Sequence, residues 1–302
     1  MSRVSFVIPT FNSERTIGQC LESIARQNYP DLEIVIVDGG SSDSTVEICA
    51  KFTSNIFFDH GPLGQARQTG VNKSNGEILA IFDSDIILPS PNWLCKAVEP
   101  FVKYKNVGVV WPINKAPRNA SIIARCYFNF WNKRLEEKQD ALPGGNSLIS
   151  REAIERVNGF NIRLHFGEDF DLTHRIVCSG YRVVVLNCPI IHDSMHTLKQ
   201  FTRKQVWGAT SLLGAHSEES DGDLLYKCVT WKSSGHGTPS TGNVLRGIFS
   251  SQILGGLKAM TKGIGEEKEF SLGILPLLLG IRMGVYGIFF FKRNVKSSIL
   301  RT

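Results

Sequence analysis

The 302-residue chain has 42% hydrophobic and 21% charged residues, which excludes global disorder and permits a sizeable buried core. Its formal net charge of +6 resides wholly in residues 241–302, where nine Lys/Arg face three Asp/Glu; residues 1–240 balance 25 against 25. A nucleic-acid binder spreads basic residues over a folded face with interleaved aromatics, so no nucleic-acid partner is expected; a basic, apolar tail suits an anionic membrane surface.

Taken in chain order, Val4–Pro9 reads as a buried strand, and Ile17, Leu21, Ile24 and Ala25 recur at helical spacing until Asn28-Tyr-Pro-Asp31 stops that helix. Leu32–Val37 is a near-continuous aliphatic run, as a parallel strand covered on both faces requires. Ser44-Thr-Val-Glu47 has the pattern of a capping box opening a second helix. A short strand at Phe57–Phe58, a helix over 63–73 and a strand at Ile78–Phe82 follow. This β-α-β-α-β rhythm predicts a doubly wound α/β sheet, with ligands bound beyond the carboxyl ends of its strands. Val107–Trp111 then reads as a strand, and 120–138 as a helix with an aromatic cluster (Tyr127, Phe128, Phe130, Trp131). Pro143-Gly-Gly-Asn146 is a turn, Ile149 is expected to begin a helix, Glu168–Ser179 is helical by pattern and Arg182–Leu186 is a strand. The polar stretch 218–243, rich in Gly, Ser and Thr, reads as a mobile loop or linker before two helical candidates at 244–262 and 270–291.

The acidic residues fall at the predicted strand ends. Asp83-Ser84-Asp85 closes Ile78–Phe82; two carboxylates one residue apart can hold one hard divalent cation while a diphosphate completes its shell. An Asp-rich turn capping the next segment is the alternative, and the meeting of other acids at the same edge favours the metal. Asp38 ends Glu33–Asp38 ahead of Gly39-Gly40-Ser41-Ser42, where an acid can accept from a base or ribose and glycines let the backbone approach, or where it caps the next helix. Gly167-Glu168-Asp169-Phe-Asp171 opens a helix whose dipole favours acids in its first turn; an acid at a pocket edge can equally deprotonate a hydroxyl. No G-x-G-x-x-G follows a strand and no G-x-x-x-x-G-K-[ST] occurs, which argues against NAD or FAD and excludes a P-loop.

The segments Val7–Asn12, Ile36–Thr45, Gly64–Gly70, Gly76-Glu77, Phe82–Asp85, Gly144–Asn146 and Gly167–Asp169, taken in order, resemble the family-2 inverting glycosyltransferases of GT-A fold, of the membrane-associated type. The likeness spans roughly residues 3–195. It implies a mixed, mainly parallel sheet with helices on both faces, and inverting, metal-dependent transfer from a nucleotide-sugar to a hydroxyl or phosphate acceptor, glycan or lipid-linked. By the resemblance Pro9, Thr10, Asn12 and Asp38 belong to the nucleotide-sugar site, with Arg67 near base or diphosphate. Asp83 faces the ribose and Asp85 the metal (Mn²⁺ or Mg²⁺), with His192 as third ligand. Gly145 and Asn146 line the donor-sugar and acceptor side, and Asp169 is the general base with Glu168 its close rival. Gln68-Thr69 departs from the Asn these proteins usually carry soon after the Arg. Q-x-x-R-W is absent, Lys204-Gln205-Val-Trp207 matching it only loosely, so a processive cellulose- or chitin-type synthase is not expected. The rivals are a sugar-1-phosphate nucleotidylyltransferase, which needs a G-x-G-T-R-L-like loop where this chain has Pro9-Thr-Phe-Asn12, and a non-catalytic nucleotide-sugar-binding membrane protein.

The expected organisation is a catalytic domain over 1–217, the linker 218–243 and a helical tail over 244–302. Gly273–Phe291 is long enough to cross a bilayer, yet a central Arg282 costs roughly 2.5–3.5 kcal/mol and Pro276 kinks the helix, so an interfacial or re-entrant helix is preferred to a span. Seven scattered cysteines without C-x-x-C suit a reducing compartment, and Val4–Pro9 is too short for a signal peptide. The expected location is the cytoplasmic face of a membrane.

Overall fold

Strand β1 (Val4–Thr10) shows why this sequence makes a covered sheet: its side chains alternate between two hydrophobic clusters. Val4, Phe6 and Ile8 join Leu21, Ile36 and Trp93 on one face; Val7 joins Leu79, Ile81, Leu172 and Ile176 on the other. The computed structural model describes residues 2–125, 127–128, 132, 145–194, 197–215 and 280–281. The chain divides into one unit of Met1–Pro117 with Pro143–Ser194, and a second of Arg118–Leu142 with Met195–Thr302.

The first unit holds an eight-stranded sheet. β1 lies between β2 (Leu32–Asp38) and β4 (Ile78–Ile81), parallel to both, and β3 (Ile56–Phe58) adds in parallel to β2. Beyond β4 come β7 (Ser147–Ser150), β6 (Val107–Lys115), β8 (Arg182–His192) and finally β5 (Ile86–Ile87), giving the order β3-β2-β1-β4-β7-β6-β8-β5. β7 runs antiparallel to both its neighbours and β5 antiparallel to β8, whereas β6 and β8 are parallel. The sheet is therefore mixed.

Helices α1 (Ile17–Ala25), α2 (Thr45–Cys49), α3 (Leu63–Lys73) and α4 (Trp93–Lys103) cross between the early strands. α1 buries Ile17, Cys20, Leu21 and Ile24, the stripe its sequence spacing predicts. Phe82 fills the space behind β4, edge-on to Phe6 at 5.6 Å and to Trp93 at 6.0 Å between ring centroids. α3 approaches the sheet so closely that a Cβ on Gly70 would collide with Val7 Cγ1. Short α5 (Arg151–Arg156) and the longer α6 (Glu168–Cys178) complete this unit.

Two local expectations change. Ile149 lies in β7, not in a helix, because Ser147–Ser150 is hydrogen-bonded on both sides, and the helix starts only at Arg151. At α2 the Ser44 side chain makes no cap; Asp43 Oδ1 accepts from Thr45 N at 3.0 Å and does that work. Strand β5 and helix α4 lacked any sequence expectation.

In the second unit α7 (Leu198–Ala215) opens with a reciprocal capping box: Thr197 Oγ1 accepts from Gln200 N, and Gln200 Oε1 accepts from Thr197 N at 2.9 Å. Residues 122–125, 127, 128 and 132 of the predicted aromatic helix are helical. Buried Phe201 packs on Ile123, Tyr127 and Ile281 there. No helix among the described residues is long and apolar enough to cross a membrane. The predicted linker 218–243 and, apart from residues 280–281, the tail helices lie outside the described residues.

Candidate active site

Asp83 and Asp85 leave the end of β4 just after the buried Phe82, whose amide is held by Val7 O at 3.1 Å. The distant His192 reaches them by sheet register: Ile86 in β5 pairs with His192 at the end of β8, and Asp193 N donates to Asp85 O at 2.9 Å. His192 Nε2 consequently lies 3.1 Å from Asp85 Oδ1, and one potential ligand atom from each of Asp83, Asp85 and His192 falls within 4.8 Å of the others. Two ligands about 2.1 Å from one ion and at right angles are about 3 Å apart, so this donor set of two carboxylates and an imidazole fits a divalent cation. Exposed Arg15 pairs with Asp193 Oδ2 at 2.7 Å and steadies that strand end.

Behind the metal-type cluster lies one cation among acids. Arg67 on α3 is 2% exposed; its Nη2 donates to Asp83 Oδ1 at 2.8 Å, and its Nη1 lies 2.8 Å from Glu168 Oε1. The second contact is an ion pair that is off-line for a hydrogen bond, and Arg67 Nε has no hydrogen-bond partner. Arg67, expected near base or diphosphate, is enclosed by carboxylates. Asn146 clamps Asp83 at two points: its Oδ1 accepts from Asp83 N at 2.8 Å and its Nδ2 donates to Asp83 Oδ2 at 3.2 Å. That reach needs φ +67, a left-handed backbone which Asn tolerates better than most residues. A Cβ on neighbouring Gly145 would stand 3.2 Å from Asp169 Oδ2 and 3.3 Å from Arg67 Nη2, so only glycine leaves these two groups undisturbed.

Glu168 and Asp169 start α6 behind Gly167, at φ +80. Burial pushes the Glu168 carboxyl up to about 8 against the opposing pull of Arg67, and the nearby Asp169 charge adds to the rise. Burial also raises Asp169, again against Arg67 and against hydrogen bonds from the Phe170 and Gly145 backbones. The adjacent carboxyls differ in their surroundings: Glu168 is 2% exposed and faces the guanidinium, whereas Asp169 is half-buried. Asp171, on the same turn, is held by Arg175 at 2.6 Å.

The other arm of the site gathers around Asp38, which aligns with Thr10 across β1 and β2. Asp38 Oδ1 accepts from Gly40 N and Ser41 N at 2.9 and 2.7 Å; Oδ2 accepts from Thr10 Oγ1 and Ser41 Oγ at 2.8 and 2.6 Å. Burial alone would raise this carboxyl; these bonds outweigh it and hold Asp38 below the usual carboxylate range. A carboxylate has about four lone-pair positions, and all are taken. Asp38 therefore shapes the Gly39–Ser41 turn. Asn12 braces the same turn, its N accepted by Ser41 Oγ at 2.9 Å and its Oδ1 accepting from Ser42 N at 3.0 Å. Pro9, paired with Val37, belongs to the strand floor. Ser84 Oγ donates to Ser13 Oγ at 2.9 Å and joins the two arms.

Sequence reasoning missed two residues here. Phe11, flanked by Thr10 and Asn12, is 63% exposed beside Gly39, and an exposed aromatic in a strand-end motif was the available signal. His60 rests on Gly40 and points its Nδ1 at Gly39 O, 3.1 Å away; nothing in the local sequence marked it.

Residues 5–157 match the family profile described as glycosyl transferase family 2, and residues 124–200 one described as N-terminal domain of galactosyltransferase. The chain is 30% identical over 196 residues to glycosyltransferase AglE of Haloferax volcanii, covering 59% of this chain and 62% of that protein. It is 30% identical over 236 residues to a dolichyl N-acetyl-α-D-glucosaminyl phosphate 3-β-D-2,3-diacetamido-2,3-dideoxy-β-D-glucuronosyltransferase of Methanococcus voltae, covering 68% of this chain and 71% of that one. The first three curated relatives are each covered over less than two thirds of their length, 62%, 13% and 31%. Among solved structures, mannosyltransferase PcManGT from Pyrobaculum calidifontis, in complex with GDP-Man and Mn²⁺, is similar at TM-score 0.62 and 20% identity, over 98% of this chain and 86% of that one. TarS 1-349 of S. aureus with UDP-GlcNAc is similar at TM-score 0.53 and 17% identity, over 99% and 92%. With its GT-A-like fold and a family profile matched over half its length, the chain belongs to glycosyl transferase family 2.

Proposed function

We propose that this chain moves a sugar from a nucleoside-diphosphate sugar to an acceptor hydroxyl, with inversion, at a divalent-cation site formed by Asp83, Asp85 and His192. The observation that carries the reading is the convergence of these three groups beside the Arg67–Glu168–Asp169 cluster. Electrostatics supports the cation. Three carboxyl groups, those of Asp83, Glu168 and Asp169, surround one guanidinium, so an anionic diphosphate meets repulsion unless positive charge accompanies it. A divalent cation, when bound, neutralises the departing diphosphate.

Asp169 is our candidate base. Both carboxyls are raised, and a raised carboxyl is a stronger base for a hydroxyl, but Glu168 is enclosed and committed to Arg67 whereas Asp169 is half-buried. The acceptor O–H proton passes to Asp169 as that oxygen bonds to the anomeric carbon from the face opposite the breaking bond to the phosphate oxygen. The nucleoside diphosphate leaves with the bond electrons. Arg67 orients Asp83 and Glu168, and Phe11 offers a face for the base to stack on. Asp169→Asn is expected to lower kcat by about 10²-fold with little change in donor affinity, measured by product formation and calorimetry. A mild loss there beside a severe loss in Glu168→Gln would exchange their roles, and turnover near the wild-type rate in both would refute the base assignment.

For the acceptor we propose a lipid-linked or envelope glycan. The name of the Methanococcus relative specifies a dolichyl N-acetyl-α-D-glucosaminyl phosphate, and this chain's own tail unites its charge excess with the apolar run 273–291. An interfacial tail would hold the enzyme at the cytoplasmic face of such a membrane. A thermal-shift screen of UDP- and GDP-sugars with Mn²⁺ or Mg²⁺ tests the donor class: stabilisation requires both metal and nucleotide, and a flat response across the panel refutes it.

A further inference from the structure

We infer that His60 is a specificity-determining residue: its Nε2 accepts a hydrogen bond from a ring N–H of the donor's nucleobase, selecting uracil or guanine over cytosine or adenine. The inference rests on the nucleotide-sugar reading above and deepens it to a class of base.

Three observations lead to it. Asp38, the acid expected to accept from a base or ribose, has every lone-pair position filled by Thr10, Gly40 and Ser41. Beside it, Gly39 and Gly40 leave a stretch of bare backbone with an exposed ring on each glycine. Phe11 lies 3.5 Å from where a Cβ on Gly39 would be, and the His60 ring 2.7 Å from where one on Gly40 would be. Gly40 has φ +93, so a side chain there is both strained and blocked. A bare floor between a stackable face and a polar ring matches the shape and chemistry of a flat heterocycle with a hydrogen-bonding edge.

The third observation fixes which hydrogen bond His60 can make. Its Nδ1 is 3.1 Å from Gly39 O, and a carbonyl oxygen only accepts, so Nδ1 carries the hydrogen. In the neutral ring Nε2 is then an acceptor, and no hydrogen bond to it is found among the described residues. Uracil N3–H and guanine N1–H are donors that complement it. Cytosine N3 and adenine N1 present lone pairs at the comparable ring position and meet it lone pair to lone pair. The backbone of the Gly39–Gly40 turn thus sets the tautomer, and the tautomer sets the preference.

The experiment is calorimetric titration of the full chain with UDP, GDP, CDP and ADP, each with Mn²⁺, for wild type, His60→Ala and His60→Phe. The phenylalanine variant keeps a ring over Gly40 but loses the acceptor. Because His60 is exposed, both variants are expected to fold, and unchanged melting curves check this. Wild type is expected to bind UDP or GDP more tightly than CDP or ADP. Both variants should weaken the preferred nucleotide by about 3–10-fold, the value of one hydrogen bond, while changing CDP and ADP by less than about twofold. Equal weakening of all four nucleotides, retention of wild-type preference in His60→Phe, or a wild-type preference for CDP or ADP overturns the inference and leaves the donor reading standing. A wild type that binds none of the four overturns both.

Discussion

Replacing Arg67 with Met isolates the charge at the centre of the site while keeping a long apolar stem. Arg67 is 2% exposed and stands between Asp83 and Glu168, each 2.8 Å away, with Asp169 close by. Without it, the protein must either keep clustered carboxylates ionised in a poorly solvated place or protonate one. Protonation sets the ceiling. Glu168, raised to about 8, already carries its proton at pH 7, so the cost falls on its carboxylate neighbours: from an ordinary pKa near 4 a carboxyl takes up a proton at about 1.4 kcal/mol per pH unit, so about 4 kcal/mol in all. That agrees with the roughly 3–5 kcal/mol lost when one partner of a buried pair is removed. For a chain of this size the melting temperature should fall by about 8–16 °C. The ceiling moves with pH: at pH 5 the same protonation costs only about 1.4 kcal/mol, so the variant's deficit should shrink to roughly a third. Urea unfolding of wild type and Arg67→Met at both pH values measures this, and adding Asp83→Asn to Arg67→Met should recover part of the loss at pH 7. A deficit below about 1 kcal/mol at pH 7, or one that does not change between the two pH values, would show that Arg67 is not compensating buried charge.

Asp85→Asn should abolish calorimetric Mn²⁺ binding and metal-dependent turnover while leaving the melting curve near wild type; unchanged Mn²⁺ affinity would remove Asp85 from the ligand set. Glu168 has its carboxyl raised to about 8 in the fold from an ordinary value near 4.5, so the folded state binds the extra proton between those values. Its contribution is therefore most favourable below about 4.5 and is lost as pH rises through about 8; Glu168→Gln should flatten that part of the stability–pH profile, and an unchanged slope refutes the assignment. The full chain should pellet with anionic liposomes and one ending at Gly242 should not, since the nine basic residues of 241–302 each add roughly 1 kcal/mol near such a surface; equal behaviour of the two would rule out the tail as the membrane element.

Patterns that depend on burial alone were legible before the structure. Val4–Pro9, Leu32–Val37 and Ile78–Phe82 are aliphatic because both faces of their strands are covered, so composition, position and partner agree. The acids at their carboxyl ends could be found for the same reason, since a strand end is where the chain leaves the core. What stayed hidden depends on partners rather than on pattern. Ser147–Ser150 contains only two apolar residues and becomes a strand because β4 and β6 offer hydrogen bonds on both sides. Ser44 has the spacing of a cap, yet neighbouring Asp43 captures the amide.

The same distinction governs the site. Spacing could bring Asp38, Arg67 and Glu168 to one edge, but it carries no information about how their polar atoms are already used. Asp38 is filled by its own turn and Arg67 is enclosed by acids, so the atoms left open toward a ligand belong partly to other residues. Phe11 and His60 illustrate the consequence. Neither follows from a spacing rule, and both lie where a saturated carboxylate has fixed the adjacent backbone. In this fold the acids most visible in the sequence include internal supports as well as ligand contacts, and hydrogen-bond saturation separates the two.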